Sequence, residues 1–189
     1  MLDIALGFLM DELNGYIEAR TGSVTIRAAV TRMADETGKY AFGPQAIGLS
    51  LVNVEEERTF REQLPSHVLV NGQHVVREPA LKLNLHLLAA AHFQIYDEAL
   101  KYLACVLTFF QSHSSFTAAR YPALDPRIEK LTVELQSPTF EQLNQIWGFV
   151  GAKQLPSALY KVRMVVLQDL DLTAVQPPIT AINTAVAAT

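Results

Sequence analysis

The sequence predicts an α+β domain: a mixed or antiparallel sheet with helices packed mainly on one face. Three observations carry that prediction. Leu81 to Phe93 alternates with a two-residue period, placing Leu81, Leu83, Leu85, Leu87, Ala89, Ala91 and Phe93 on one side and Lys82, Asn84 and His86 between the first four. Apolar residues recur at helical spacing in three other stretches. The 189 residues contain nothing resembling a flexible linker, so residues 1–168 read as one domain and 169–189 as an extended tail.

Leu2 to Arg20 is predicted as a helix because Leu2, Leu6, Leu9, Leu13 and Ile17 share a face and Thr21-Gly22 stops the run. Val24 to Val30 is predicted as a strand. Ala34 to Gln45, with two glycines and Pro44, reads as a loop before a strand at Ala46 to Val54, and that strand ends in Glu55-Glu56-Glu57-Arg58. Thr59 to Pro79 carries Pro65, Asn71-Gly72 and Pro79 as breakers and reads as a long loop with at most a short strand at His74 to Val76. Tyr96 to Phe110 is a helix whose expected inner face is Tyr96, Leu100, Leu103, Leu107 and Phe110.

Ile128 to Leu135 alternates again, with Leu131, Val133 and Leu135 opposite Lys130, Thr132 and Glu134. Thr139 and Gln142 have capping-box spacing and open a helix striped by Phe140, Leu143, Ile146, Trp147 and Val150, which Gly151 closes. Leu159 to Leu167 is the last predicted strand, with Tyr160, Val162, Met164 and Val166 opposite Lys161 and Arg163. Strand order does not follow from these patterns. If the last two strands are adjacent and parallel, the crossover between them is right-handed.

Composition bounds the function. Half of the residues are hydrophobic and 18% are charged, against about 25% charged in typical globular chains. Apolar surface left over after folding points to subunit contacts. The longest apolar runs, Leu87 to Ala91 and Leu103 to Leu107, fall far short of the ~20 residues of a membrane span. Direct membrane insertion is not expected. A single cysteine, Cys105, excludes an intrachain disulfide, and acids at Asp3, Asp11 and Glu12 replace the basic start of a secretory signal. A reducing compartment such as the bacterial cytoplasm is expected during assembly.

Motifs of catalysis are missing: no H-E-x-x-H, C-x-x-C, G-x-S-x-G or phosphate loop occurs. Gly43 and Gly48 flank Pro44 without a following lysine and read as turn glycines. Cys105, within an apolar helix, reads as a small buried hydrophobe. His67, His74, His86, His92 and His113 match no metal spacing, so no metal or cofactor is expected. Lys82, Lys130, Lys161 and Arg163 could align across a sheet, but the net charge is −4 and those faces carry no stacking aromatics, so nucleic acid is not an expected partner. No enzyme reaction is predicted.

The order of segments resembles the tail-terminator or cap proteins of extracellular contractile injection systems, phage-tail-like particles that fire a tube through a sheath. The segments are MLDIALGFLMDELNGYI, IGLSLVNVEEERT, PALKLNLHLLAAAHFQIYDEALKYLACVLTFFQ and IEKLTVELQSPTFEQLNQIWGFVGAKQLPSALYKVRMVVL, followed by a short Pro-Pro-Ile. The resemblance implies a tail-terminator-like fold and a structural cap: a homohexameric ring that ends the inner tube and the sheath and couples them. Its implied partners are copies of itself, the inner tube protein and the sheath protein, in a particle that is either released or membrane-anchored. Some relatives carry a longer carboxy-terminal part, and the core cap role is expected to stand without it. An assembly chaperone or adaptor of the same particle is the first alternative, and a small enzyme of unknown type the second.

Interface residues are expected at the acidic run and the following arginine (Glu55, Glu56, Glu57, Arg58), on the long loop (Arg61, Arg77) and in the tail (Pro177, Pro178). Adjacent carboxylates can steer a basic partner surface.

Overall fold

Alternation at positions 81–93 becomes an 11-residue strand, β5 (Lys82–His92), extended to its end. It lies near the middle of a six-stranded sheet. In the computed structural model, residues 1–57, 66–70, 73–77, 82–166 and 174–176 are described, with the side chains of 66–70, 73–77, 165–166 and 174–176 excepted. Before β5 come α1 (Leu2–Thr21), β1 (Arg27–Val30), β2 (Ala46–Glu56), β3 (Ser66–Val70) and β4 (Gln73–Arg77). After it come α2 (Tyr96–Ser112), β6 (Ser115–Thr117), β7 (Ile128–Gln136), α3 (Phe140–Val150), β8 (Ser157–Val166) and β9 (Ala174–Gln176). The main sheet runs β1-β2-β5-β8-β7-β6, and a three-stranded sheet runs β3-β4-β9. Only β1 and β2 pair in parallel; every other pairing in the two sheets is antiparallel.

One face of the main sheet carries the larger core. Leu85, Leu87 and Ala89 of β5, Tyr160, Val162 and Met164 of β8, and Leu131 and Val133 of β7 are buried there under α1 and α2. The predicted stripe of α1 is right: Leu6, Leu9, Leu13 and Ile17 are all buried, and Gly22 closes the helix at φ 69°, a left-handed cap that glycine adopts without strain. β1 starts at Arg27, and Val24 stands exposed before it.

The predicted inner face of α2 holds only for Phe110, which is buried, and Leu103, which is partly buried against the core. Ala99, Tyr102, Cys105, Val106, Phe109 and Phe110 turn inward, while Tyr96, Leu100 and Leu107 are exposed. Both faces of this helix are apolar, so spacing alone could not choose between them. The ring-bearing face wins because Tyr102, Phe109 and Phe110 carry large rings to bury, with Phe93 stacked on Tyr102 at 5.0 Å and Phe110 tilted against Tyr160 at 4.8 Å. Cys105 is buried as predicted.

α3 packs on the opposite face. Trp147 is buried against Leu88, Ala90 and Leu159, with Leu143, Ile146 and Val150 beside it and Met33 and Phe42 of the loop before β2 completing the cluster. Thr139 accepts from Gln142 N–H at 3.2 Å and Gln142 Oε1 accepts from Thr139 N–H at 2.9 Å, the predicted capping box. Phe140, expected in the stripe, is 94% exposed at the first residue of the helix. Gly48 is not a turn glycine: it lies within β2, and a Cβ there would meet the Phe42 ring at 2.7 Å. β7 and β8 are adjacent but antiparallel, so the parallel crossover does not arise.

Of the prediction for 59–79, the short strand at His74 to Val76 is present within β4, but β3 was not expected. β3 and β4 form a hairpin, Val70 facing Gln73, and Asn71-Gly72 stands between them in sequence, the strongest short hairpin signal there is. β8 is not the last strand, since β9 pairs with β4, and β6 was missed because three residues carry too short a pattern. Arg58, Arg61 and the expected tail contacts Pro177 and Pro178 lie outside the described residues.

Candidate functional site: an assembly surface

A β-bulge decides where the acidic run points. β2 pairs with β5 as Leu51 to Leu87, then as Asn53 to His86, so Val52 is the extra residue. Without the bulge, Asn53 and Glu55 would share the inward face of Ile47 and Leu49. With it they turn to the face of Asn84 and His86. Register carries the same face across the sheet, His86 beside Lys161 and Asn84 beside Arg163, then Lys161 beside Glu134 and Arg163 beside Thr132. The outer face therefore has an apolar half, covered by α3, and a polar half with no helix of its own among the described residues.

Charges in the polar half are matched rather than stacked with one sign. Arg163 Nη2 donates to Glu134 Oε2 at 3.1 Å. His86 Nε2 is 3.2 Å from Glu55 Oε2, close enough to pair when protonated but not aligned as a hydrogen bond. Asn53 Nδ2 donates to Glu55 Oε1 at 3.1 Å, and Asn84 Nδ2 to Glu57 Oε2 at 3.0 Å. Glu57 N–H also donates to Lys82 O at 2.9 Å, closing the end of the β2–β5 ladder. None of the three glutamates lacks a partner. Glu55 projects into solvent, whereas Glu57 is half-buried and helps hold the strand end. The structure thus brings Glu55, Glu56 and Glu57 to one end of the sheet. Arg77 ends β4, its side chain outside the described set, and Arg58, Arg61, Pro177 and Pro178 are not placed.

The remaining histidines have local partners. His92 Nδ1 lies 3.1 Å from Phe42 O with its ring 4.4 Å from Tyr40, and His113 stacks on Phe109 at the end of α2. Among the described residues no three His, Cys, Asp or Glu side chains gather as metal ligands. Among them, too, no helix is long and apolar enough to cross a membrane.

Sequence reading missed a groove between α2 and β7. It has a volume of about 490 Å³ and is lined by uncharged residues including Leu107, Gln111, Leu135 and Tyr160. The Tyr160 hydroxyl is buried with no hydrogen-bond partner among the described residues, and burial pushes the phenol's pKa up. Leu135 and Leu107, expected to be inward, instead form its partly exposed rim.

Residues 7–181 match the family described as the Pvc16 N-terminal domain. The chain belongs to that family. No curated protein matches it. Among solved structures, it is similar to the sheath/tube terminator of the PVC extracellular contractile injection system in its extended state, at TM-score 0.58 and 16% identity, over 95% of this chain and 64% of that one. It is also similar to the anti-feeding prophage tube-terminating cap, at TM-score 0.61 and 16% identity, over 98% of this chain and 61% of that one. At that identity the likeness is one of fold. The Pvc16-family chain spans less than two thirds of the length of either structure.

Proposed function

We propose that the chain is a structural cap of a contractile injection system, a closed ring of six copies that ends the inner tube and the sheath and couples them. The observation that carries the reading is the fold itself: nearly the whole chain superposes on two proteins described as tube terminators. A closed ring uses heterologous contacts that are satisfied after one turn, so assembly stops there instead of continuing as a filament. Exposed apolar residues such as Phe140, Phe149 and Leu100 supply area for such contacts. The role is mechanical and not catalytic.

Residues 1–168 form the cap domain in this reading; 174–176 return to it as β9, and 177–189 reach toward a neighbour. Glu55 and Glu56, with Arg58, Arg61, Arg77, Pro177 and Pro178, are the proposed contacts to tube or sheath, and Glu57 serves mainly to fix the strand end that presents them. Assembly takes place in the bacterial cytoplasm, without nucleic acid, cofactor or membrane insertion. Particles produced with the gene intact and deleted test the proposal. Deletion is expected to give tubes of uncontrolled length, and the chain should be found in finished particles. Normal tube lengths without it would refute the cap, and its absence from finished particles would make it an assembly chaperone or adaptor.

A further inference from the structure

Both edges of the main sheet stop short: β1 covers only Ala46 to Leu49 of β2, and at the other edge β6 covers only part of β7. Ser115, Phe116 and Thr117 of β6 pair with Thr132, Leu131 and Lys130, and Val133 N–H reaches Ser114 O at 2.8 Å. There the cover ends. N–H and C=O groups of alternate residues point to the same side of a strand, so those of Leu135 project from the same edge as Val133 N–H, beyond the last residue of the β6 segment that pairs with it. Leu135 O is met only by its neighbour's side chain, Gln136 Nε2, at 3.5 Å. Beside this open edge lies the uncharged groove, lined in part by Tyr160, whose buried hydroxyl has no hydrogen-bond partner among the described residues.

An open ladder position and an apolar slot together suit an extended segment that adds as a strand and places an apolar side chain in the slot. Residues 177–189, PPITAINTAVAAT, have that chemistry: no charge, apolar Ile179, Ile182 and Val186, and Thr or Asn between them. Two prolines at their start suit an extended approach. Fully extended, these residues reach ~43 Å, at about 3.3 Å per residue.

Register separates the Leu135 edge from the connections to the three-stranded sheet. Leu135 and Gln136 pair with Tyr160 and Leu159 at one end of the sheet. The connections to the three-stranded sheet, after Glu56, before Lys82 and after Val166, all leave from the other end. We propose that residues 177–189 of one copy add as a strand to the Leu135 edge of the next copy, linking neighbours head to tail. This rests on the ring assembly proposed above.

The test uses labelled peptide 177–189 and the chain lacking those residues, with fluorescence anisotropy as readout. Saturable binding is expected, weakened by about tenfold or more in Leu135→Asp, whose charge would face an apolar slot. No saturable binding, or binding indifferent to Leu135→Asp, overturns the proposal. Chain of custody is read from a second experiment on the full chain carrying Cys105→Ala, Leu135→Cys and Ile182→Cys. Disulfide-linked oligomers are expected under oxidation, and a bond formed within single chains overturns the assignment to a second copy. If the truncated chain still caps tubes as well as the full one, the strand exchange fails while the cap reading stands; if peptide and crosslink behave as expected but tubes ignore the chain, the reverse holds.

Discussion

At the β1 edge of the main sheet a side chain stands in for the missing strand, whereas at the Leu135 end of β7 only the Gln136 amide approaches, at 3.5 Å, among the described residues. Asn14 of α1 donates Nδ2–H to Ala28 O at 3.0 Å and accepts Ala28 N–H on Oδ1 at 2.7 Å, closing the ladder of β1 from outside. Leu135, at the opposite edge, has no such counterpart among the described residues and is 56% exposed. The outer face repeats the contrast. Its apolar half is roofed by α3, and its polar half is bare. Closed regions carry the stability of the monomer, and open ones are available to neighbours, since an uncovered edge is a template for another chain.

The largest expected effect lies under the roof. Trp147→Ala should lower stability by about 3–5 kcal/mol, because it empties the centre of the α3 cluster; a chemical-denaturation curve with an unchanged midpoint would mean that α3 is dispensable to the fold. Next comes the closed edge. Asn14→Ala leaves a buried N–H and C=O of Ala28 unpaired and should cost about 2 kcal/mol, seen as a fall in melting temperature of roughly 4–8 °C. Thr139→Ala removes one half of the capping box and should cost about 1 kcal/mol in the same assay. At the open edge, Leu135→Asp should change stability by no more than about 0.5 kcal/mol, while abolishing its association. A large loss of stability there would erase the distinction between the edges.

The smallest effect concerns the turn that starts β7. Asp125 takes a side-chain hydrogen bond from Arg127, helped by the Arg127 backbone N–H, and its carboxyl is lowered from 3.8 to about 2. A depressed pKa contributes stability that is fully present above the ordinary carboxylate value and is lost as pH falls through the lowered one. Carboxyl NMR titration of Arg127→Ala should move the Asp125 midpoint up toward 3.8, and an unchanged midpoint would mean that the guanidinium does not hold it.

Much of this fold was legible wherever one periodicity stood alone. Leu6, Leu9, Leu13 and Ile17, the alternation of β5, and Thr139 with Gln142 each admit one reading, and the structure keeps it. α2 misled because both of its faces are apolar, and only tertiary packing of Tyr102, Phe109 and Phe110 selects the inner one. The hairpin β3–β4 was legible in Asn71-Gly72 but was read as a loop breaker.

The candidate site was half visible. The acidic run could be read as a strand end, but its direction depends on the bulge at Val52. A clue existed: Asn53 and Glu55 share the parity of buried Leu49, a polar intrusion that only a register shift resolves. A second bulge lets Ile128 and Leu131 both face the core despite opposite parity. The groove left no trace in the sequence, since it arises where β6 stops short of Leu135, a tertiary fact.

The most direct measurement is a side-chain-resolution reconstruction of the end of a particle assembled with this chain. A single ring of six copies is expected between the last tube ring and the outside, with the Leu135 edge of each copy covered by residues 177–189 of its neighbour. A particle end formed without the chain, or copies of it scattered along the tube, would contradict the account.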